Sequence, residues 1–193
     1  MGEINKDLGM DYQKLFFRLN QKLAGSNLTL RLHCVGGFVL EYYGLKATND
    51  IDAFYESSEK IDDLIKEVGE EFNVGTSKES WLNHAVGRVM SISSEKNQIV
   101  IFQDTNLSVT ISPLESVLID KLQAGRTKDI WDVAKIMQYL EITQPDDLLK
   151  LMMKHSEGET DPAIILEAYS IAYGKEALKE YLRKNPDLMR LLK

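Results

Sequence analysis

A chain of 193 residues with 44% apolar side chains is not a disordered chain, and it suits one compact domain or a core domain with a small helical extension. Its net charge of -7 and pI near 5.1 argue against a broad nucleic-acid-coating surface, since phosphate binding leaves a basic footprint. A single cysteine, Cys34, excludes a disulfide framework, and no segment reads as a signal peptide or a membrane span, so a cytoplasmic setting without membrane partners is expected.

Residues 12–23 carry Leu15, Leu19 and Leu23 at helical spacing, which predicts a first helix broken at 25–27. Leu28, Leu30 and Leu32 then alternate with polar residues into His33-Cys34-Val35, a strand with one face better buried. Gly36-Gly37 ends that strand, and 38–43 predicts a short helix stopped by Gly44. Residues 49–55 read as the next strand, followed by a helix capped by Ser57 or Ser58 with Ile61, Leu64, Ile65 and Val68 inward. Trp81, Leu82, Ala85 and Val86 suit another short helix. Residues 99–102 and 107–111 read as a hairpin, which makes the sheet mixed.

From Ser112-Pro113-Leu114-Glu115, a helix-capping sequence, the chain turns helical. Leu114, Val117, Leu118 and Leu122 supply a buried stripe, Gly125 interrupts it, and a second helix starts near Lys128. Pro145 and Pro162 lie near further helix starts, and Asn185-Pro186 marks the last break. The expected architecture is α/β (α+β): a mixed sheet flanked by helices over residues 1–112, with a helical extension over 113–193 packing on it.

Three local features carry chemistry. Gly36-Gly37 between strand and helix permits a tight turn whose backbone N–H groups suit phosphate. In Asn49-Asp50-Ile51-Asp52, residues i and i+2 of a strand project to one face, so Asp50 and Asp52 stand side by side. Their mutual repulsion is relieved by a divalent cation, and oxygen ligands at this spacing suit Mg²⁺ or Mn²⁺ bridging substrate phosphates. Lys121 lies within an apolar stripe and must snorkel to water or meet an acid. Arg126 and Lys128 are alternative phosphate contacts, with Asp129 and Asp132 as partners that anchor these bases.

Cys34-Val-Gly-Gly-Phe-Val-Leu-Glu-Tyr-Tyr-Gly, followed by Ala-Thr-Asn-Asp-Ile-Asp-Ala, resembles the opening signature of the DNA-polymerase-beta-like nucleotidyltransferase superfamily. It is most similar to the bacterial branch that includes nucleotidyltransferase-like toxins of abortive-infection and type IV toxin–antitoxin systems. The resemblance covers roughly residues 32–140. It implies that Gly36 and Gly37 form the phosphate turn, that Asp50 and Asp52 bind metal, and that Lys121 and Lys128-Asp129 with Asp132 complete the site. It also implies a third carboxylate on a neighbouring strand to activate the attacking hydroxyl. Asp104 is the acid nearest the 99–102 strand, whereas the 107–111 strand carries Ser108 and Thr110, and Gly37 replaces the serine common in catalytic branches.

The implied function is metal-dependent transfer of a nucleoside monophosphate from a nucleoside triphosphate to a hydroxyl on RNA, protein or a small molecule. The alternative is a catalytically degenerate nucleotide-binding or protein-interaction module, one half of a toxin–antitoxin pair with a cognate antitoxin-like partner. His33, His84 and His155 lack the neighbours a metal site needs, and Trp81 and Trp131 read as core anchors rather than base-stacking platforms. Tyr42-Tyr43 reads as packing and residues 67–71 as a solvated helix end.

Overall fold

The computed structural model describes residues 11–75, 80–85, 97–155 and 161–186, and the chain divides into two compact units, Met1–Pro113 and Leu114–Lys193. The first unit runs α1 (Tyr12–Gly25), β1 (Leu30–Val35), α2 (Gly37–Tyr42), β2 (Ile51–Phe54), α3 (Glu59–Phe72), β3 (Leu82–His84), β4 (Ile99–Gln103) and β5 (Leu107–Ile111). The strands form one mixed sheet in the order β3-β2-β1-β5-β4. β1 is antiparallel to β2 and parallel to β5, β2 is parallel to β3, and β4 and β5 close the expected hairpin.

Strand alternation divides this sheet into two chemically different faces. Leu30, Leu32, Cys34, Ile51, Ala53, Leu107, Val109 and Ile111 share one face and are almost free of solvent. The aliphatic stripe of α1, Leu15, Leu19 and Leu23, is equally buried, and α1 packs along both α3 and β5. Phe16 sits among the rings of Phe38, Trp81 and Phe102, with centroids 6.3, 6.3 and 5.8 Å away. The bulge between Val100 and Phe102 sets Phe102 opposite Val109, on the apolar face. The other face carries Arg31, His33, Val35, Asp52, Phe54, Ser108 and Thr110.

The helix starts follow their local chemistry. Asp11 accepts a bond from the Lys14 amide at the start of α1, and Ser58 accepts one from the Ile61 amide at the start of α3. Ser57 instead donates its hydroxyl to Asp62. Gly44 stops the chain after α2 with a φ of 71°, and α3 ends on left-handed Asn73. Glu67 and Glu71, on the solvated end of α3, pair with Lys22 and Arg18 of α1.

One expected helix is a strand. Residues 82–84 pair with β2, and the ladder continues at each end, where the Ile51 amide donates to the Trp81 carbonyl and the Ala85 amide to the Ala53 carbonyl, each at 2.8 Å. The apolar pattern there is too short to distinguish the two periods, and the open edge of β2 decides it by satisfying backbone groups. Val86, the last residue of that expected helix, lies outside the described residues.

The second unit contains α4 (Leu114–Ala124), a 3₁₀ turn at Thr127–Asp129, α5 (Ile130–Tyr139), α6 (Pro145–His155), α7 (Pro162–Tyr173) and α8 (Lys175–Lys184). Gly125, with a φ of 60°, makes the expected break after α4. Pro145 and Pro162 open their helices as the sequence predicts, with Asp161 accepting a bond from the Ala163 amide. Leu118, Leu122, Val133, Met137, Leu148, Ile165 and Ala168 are buried. Trp131 is a correction: it is 63% exposed, on the side of α5 away from Val133 and Met137, whereas Trp81 is the buried anchor expected.

Candidate functional site

The acidic pair sits where β2 begins. Asp50 immediately precedes the strand, and Asp52 lies within it, paired with Val35 on one side and Asn83 on the other. Asn83 therefore shares a face with Asp52, and its amide also donates to Asp50 Oδ2 at 3.1 Å. Both carboxylates thus lie at the same edge of the sheet, on the face opposite the apolar one. The Thr48 hydroxyl donates to Asp50 Oδ1 at 2.9 Å. Each carboxylate oxygen of Asp50 is oriented by one donor and retains a lone pair for a further contact.

Behind Thr48 stands an arrangement with no counterpart in the sequence patterns. The Tyr12 hydroxyl donates to Glu41 Oε2 at 2.8 Å and lies 3.1 Å from the Thr48 carbonyl. The Thr48 amide donates to the same Glu41 oxygen at 2.9 Å. Glu41 Oε1 is buried and has no hydrogen-bond partner. Burial, the bond to Glu41 and the charges of Glu41 and Asp50 together push the Tyr12 phenol well above its ordinary range. Helix α1 and helix α2 thereby clamp the loop that presents Asp50.

The glycine turn meets the same loop. Gly36 adopts φ 66° and ψ -130°, a conformation reserved for glycine, and this lets β1 turn directly into α2. A Cβ built on Gly37 would touch Thr48 Oγ1 at 3.5 Å, the hydroxyl that holds Asp50. Gly36-Gly37, Thr48 and Asp50 are therefore contiguous in space.

Asp104 is elsewhere. Leu107 pairs with Leu30 at the start of β1, whereas Asp52 pairs with Val35 at its end. Five residues of strand separate those ends, about 16 Å, and Asp104 precedes Leu107 in the hairpin turn. Its Oδ1 accepts the Thr105 amide at 2.6 Å. On the neighbours of β2, Asn83 and Val35 face Asp52, so neither residue opposite it carries an acid. His33 lies on the same face, its ring nitrogens 3.0 Å from Thr110 Oγ1 and 2.9 Å from Ser112 Oγ. Burial lowers its pKa and keeps it neutral. A cleft along β3 is lined by Tyr55, Asp62, Lys66, Asn83 and His84, among others.

In the second unit, Lys121 Nζ lies 2.8 Å from Asp129 Oδ1 and 2.8 Å from Asp132 Oδ2. All three side chains are largely buried. The lysine in the apolar stripe has therefore met its acids, tying α4 to the turn and to α5. Arg126 and Lys128 are exposed.

Asp50 and Asp52 fit a particular kind of metal site. Among the described residues no three His, Cys, Asp or Glu side chains gather into a cage. Magnesium does not require one: it is commonly held by one or two carboxylates together with substrate phosphates and water. The donor set is hard oxygen throughout, with the Gly36-Gly37 backbone close by.

A family model described as "Nucleotidyltransferase of unknown function (DUF6036)" matches residues 12–175. No curated protein and no solved structure matches the chain. The match spans both acidic motifs, from α1 into the last helix, and is thus longer than the signature resemblance alone.

Proposed function

The chain belongs to that nucleotidyltransferase family, and from this premise we propose that it moves a nucleoside monophosphate from a nucleoside triphosphate to a hydroxyl acceptor. The observation that carries the proposal is the oriented Asp50 beside Asp52 at the start of β2, in contact through Thr48 with the Gly36-Gly37 turn. Asp50 and Asp52 would hold Mg²⁺ or Mn²⁺, which when bound neutralises the triphosphate and polarises the reacting phosphorus. Gly36 and Gly37 let phosphate oxygens approach the backbone without a side chain in the way. The acceptor hydroxyl oxygen bonds to the α-phosphorus and gives up its proton to solvent water, the bond from the α-phosphorus to the oxygen bridging it to the β-phosphate breaks, and pyrophosphate leaves with that electron pair.

The residues' task is positioning. Thr48 and Asn83 fix the two oxygens of Asp50 before substrate arrives, so little reorientation remains during reaction. Asp104, at the far end of β1, is not assigned the role of base in this proposal. Lys121 is assigned to holding Asp129 and Asp132, and Arg126 and Lys128, exposed in the helical unit, are given no part in this step.

A second reading has its own support. Asn83 occupies the place opposite Asp52 where an acid would be suited to take the acceptor's proton, and an amide cannot do so. A nucleotide-binding or interaction module within a toxin–antitoxin pair would retain the acidic edge and lack turnover. Incubation with each labelled nucleoside triphosphate, metal and a cell extract separates the two. Transfer of label, lost in Asp52→Asn, supports the enzyme; metal-dependent binding without transfer supports the module.

A further inference from the structure

Thr48 stands between two carboxylates and gives each of them one donor. Its amide donates to Glu41 Oε2 at 2.9 Å and its hydroxyl to Asp50 Oδ1 at 2.9 Å. The backbone of the loop is thereby pinned by Glu41, and the side chain it presents is turned onto Asp50. Glu41 is itself held, because the same Oε2 accepts the Tyr12 hydroxyl at 2.8 Å. Its other oxygen, Oε1, is buried and has no hydrogen-bond partner among the described residues. A buried carboxylate oxygen left this way opposes folding, so packing alone favours a neutral side chain here. The electrostatics point elsewhere. The Tyr12 phenol, raised first by burial and then by its bond to Glu41, also feels the charges of Glu41 and of Asp50. Two like charges therefore flank Thr48, and their repulsion falls when a cation sits on Asp50.

We propose that Glu41 is a positioning residue for the divalent cation, a role that rests on the metal reading of the Asp50–Asp52 edge. Acting through Thr48, it fixes the Asp50 carboxylate and raises the affinity of that edge for Mg²⁺ or Mn²⁺ without touching the ion. Asn83 donates to Asp50 Oδ2 at 3.1 Å, so both oxygens of Asp50 are oriented only while Thr48 keeps its place. A Cβ on Gly37 would lie 3.5 Å from the Thr48 hydroxyl oxygen, so the glycine turn abuts the same hydroxyl. Glu41 belongs to α2, the helix that this turn opens. The turn, the Glu41–Thr48 link and the first aspartate thus form one connected unit. Partners that orient a liganding carboxylate from outside change metal affinity by about 10- to 100-fold.

Three substitutions separate charge from position. Glu41→Gln keeps an oxygen that accepts both donors and removes the charge. Thr48→Val keeps the shape and the amide and removes the hydroxyl, whereas Thr48→Ser keeps amide and hydroxyl and removes a methyl. Each variant of the full chain is first shown to be folded by urea denaturation. Mn²⁺ alone is then titrated while the electron paramagnetic resonance signal of the free ion is followed. Glu41→Gln and Thr48→Val should each bind Mn²⁺ about tenfold more weakly, and Thr48→Ser should bind it like the wild type. Absence of Mn²⁺ binding by the wild type, unchanged affinity in folded Glu41→Gln or Thr48→Val, or an equal loss in Thr48→Ser would overturn the proposal. If Glu41→Gln does not fold, Tyr12→Phe takes its place, since it loosens Glu41 without removing it. Its affinity for Mn²⁺ should fall, and an unchanged value there sinks the role of Glu41. Asp50→Asn and Asp52→Asn keep the two failures apart. Binding that they abolish and Glu41→Gln leaves intact retains the metal site and removes Glu41 from it; binding that they too leave intact removes the metal site itself.

Discussion

Asp50 is held by residues far from it in the chain. Removing the Tyr12 hydroxyl deprives a Glu41 carboxylate that already has one unpartnered buried oxygen. Tyr12→Phe should therefore destabilise the fold by about 1–3 kcal/mol, measured by urea denaturation. The neighbouring face has a pH signature. His33 is held neutral by burial, so its folded pKa lies below its unfolded one. The unfolded chain binds the proton first, and stability should decline as pH falls through about 6.5. His33→Gln should flatten that part of the curve. The Asp-x-Asp spacing is a local feature that a sequence displays directly, although only Asp52 lies within β2 and Asp50 immediately precedes it. Tyr12, Glu41 and Thr48 were not legible, because bonds spanning 29 and 36 residues leave no periodic trace.

The elements with long periodic stripes, α1, α3 and the helices after Pro113, could be read directly, since burial of one face imposes the 3.6-residue repeat. The three-residue β3 could not, because its conformation is set by the free edge of β2 rather than by its own pattern. That misreading had a cost at the site: it hid Asn83, whose side chain faces the acidic pair. Trp131 was misjudged for a related reason, since a residue between Ile130 and Asp132 at the start of a short helix gives little sign of which arc it occupies. The contact between α3 and the residue preceding β3 is testable. A Cβ on Gly69 would fall 2.8 Å from Trp81 Cδ1 and 3.0 Å from the Val74 carbonyl. Gly69→Ala should cost about 1–3 kcal/mol and shift the near-ultraviolet signal of the buried indole.

At the scale of the molecule, each compact unit carries its own polar feature in a mostly apolar interior. In the helical unit it is the Lys121–Asp129–Asp132 group. Removing the lysine leaves two buried carboxylates without their cation, so Lys121→Met should destabilise by about 3–5 kcal/mol in chemical denaturation. A lysine serving only a ligand would leave stability unchanged. The spacing of Lys121, Asp129 and Asp132 was visible in the sequence, but their mutual engagement required the break at Gly125 to fold the two segments together. In the sheet-bearing unit the feature is the acidic edge, and the central claim rests there. Calorimetric titration of each nucleoside triphosphate with and without Mg²⁺ or Mn²⁺, in the wild type, Asp50→Asn and Asp52→Asn, tests it most directly. The account predicts metal-dependent binding that both variants abolish while remaining folded; binding unaffected by metal or by either variant, or no binding of any of the four nucleotides, would contradict it.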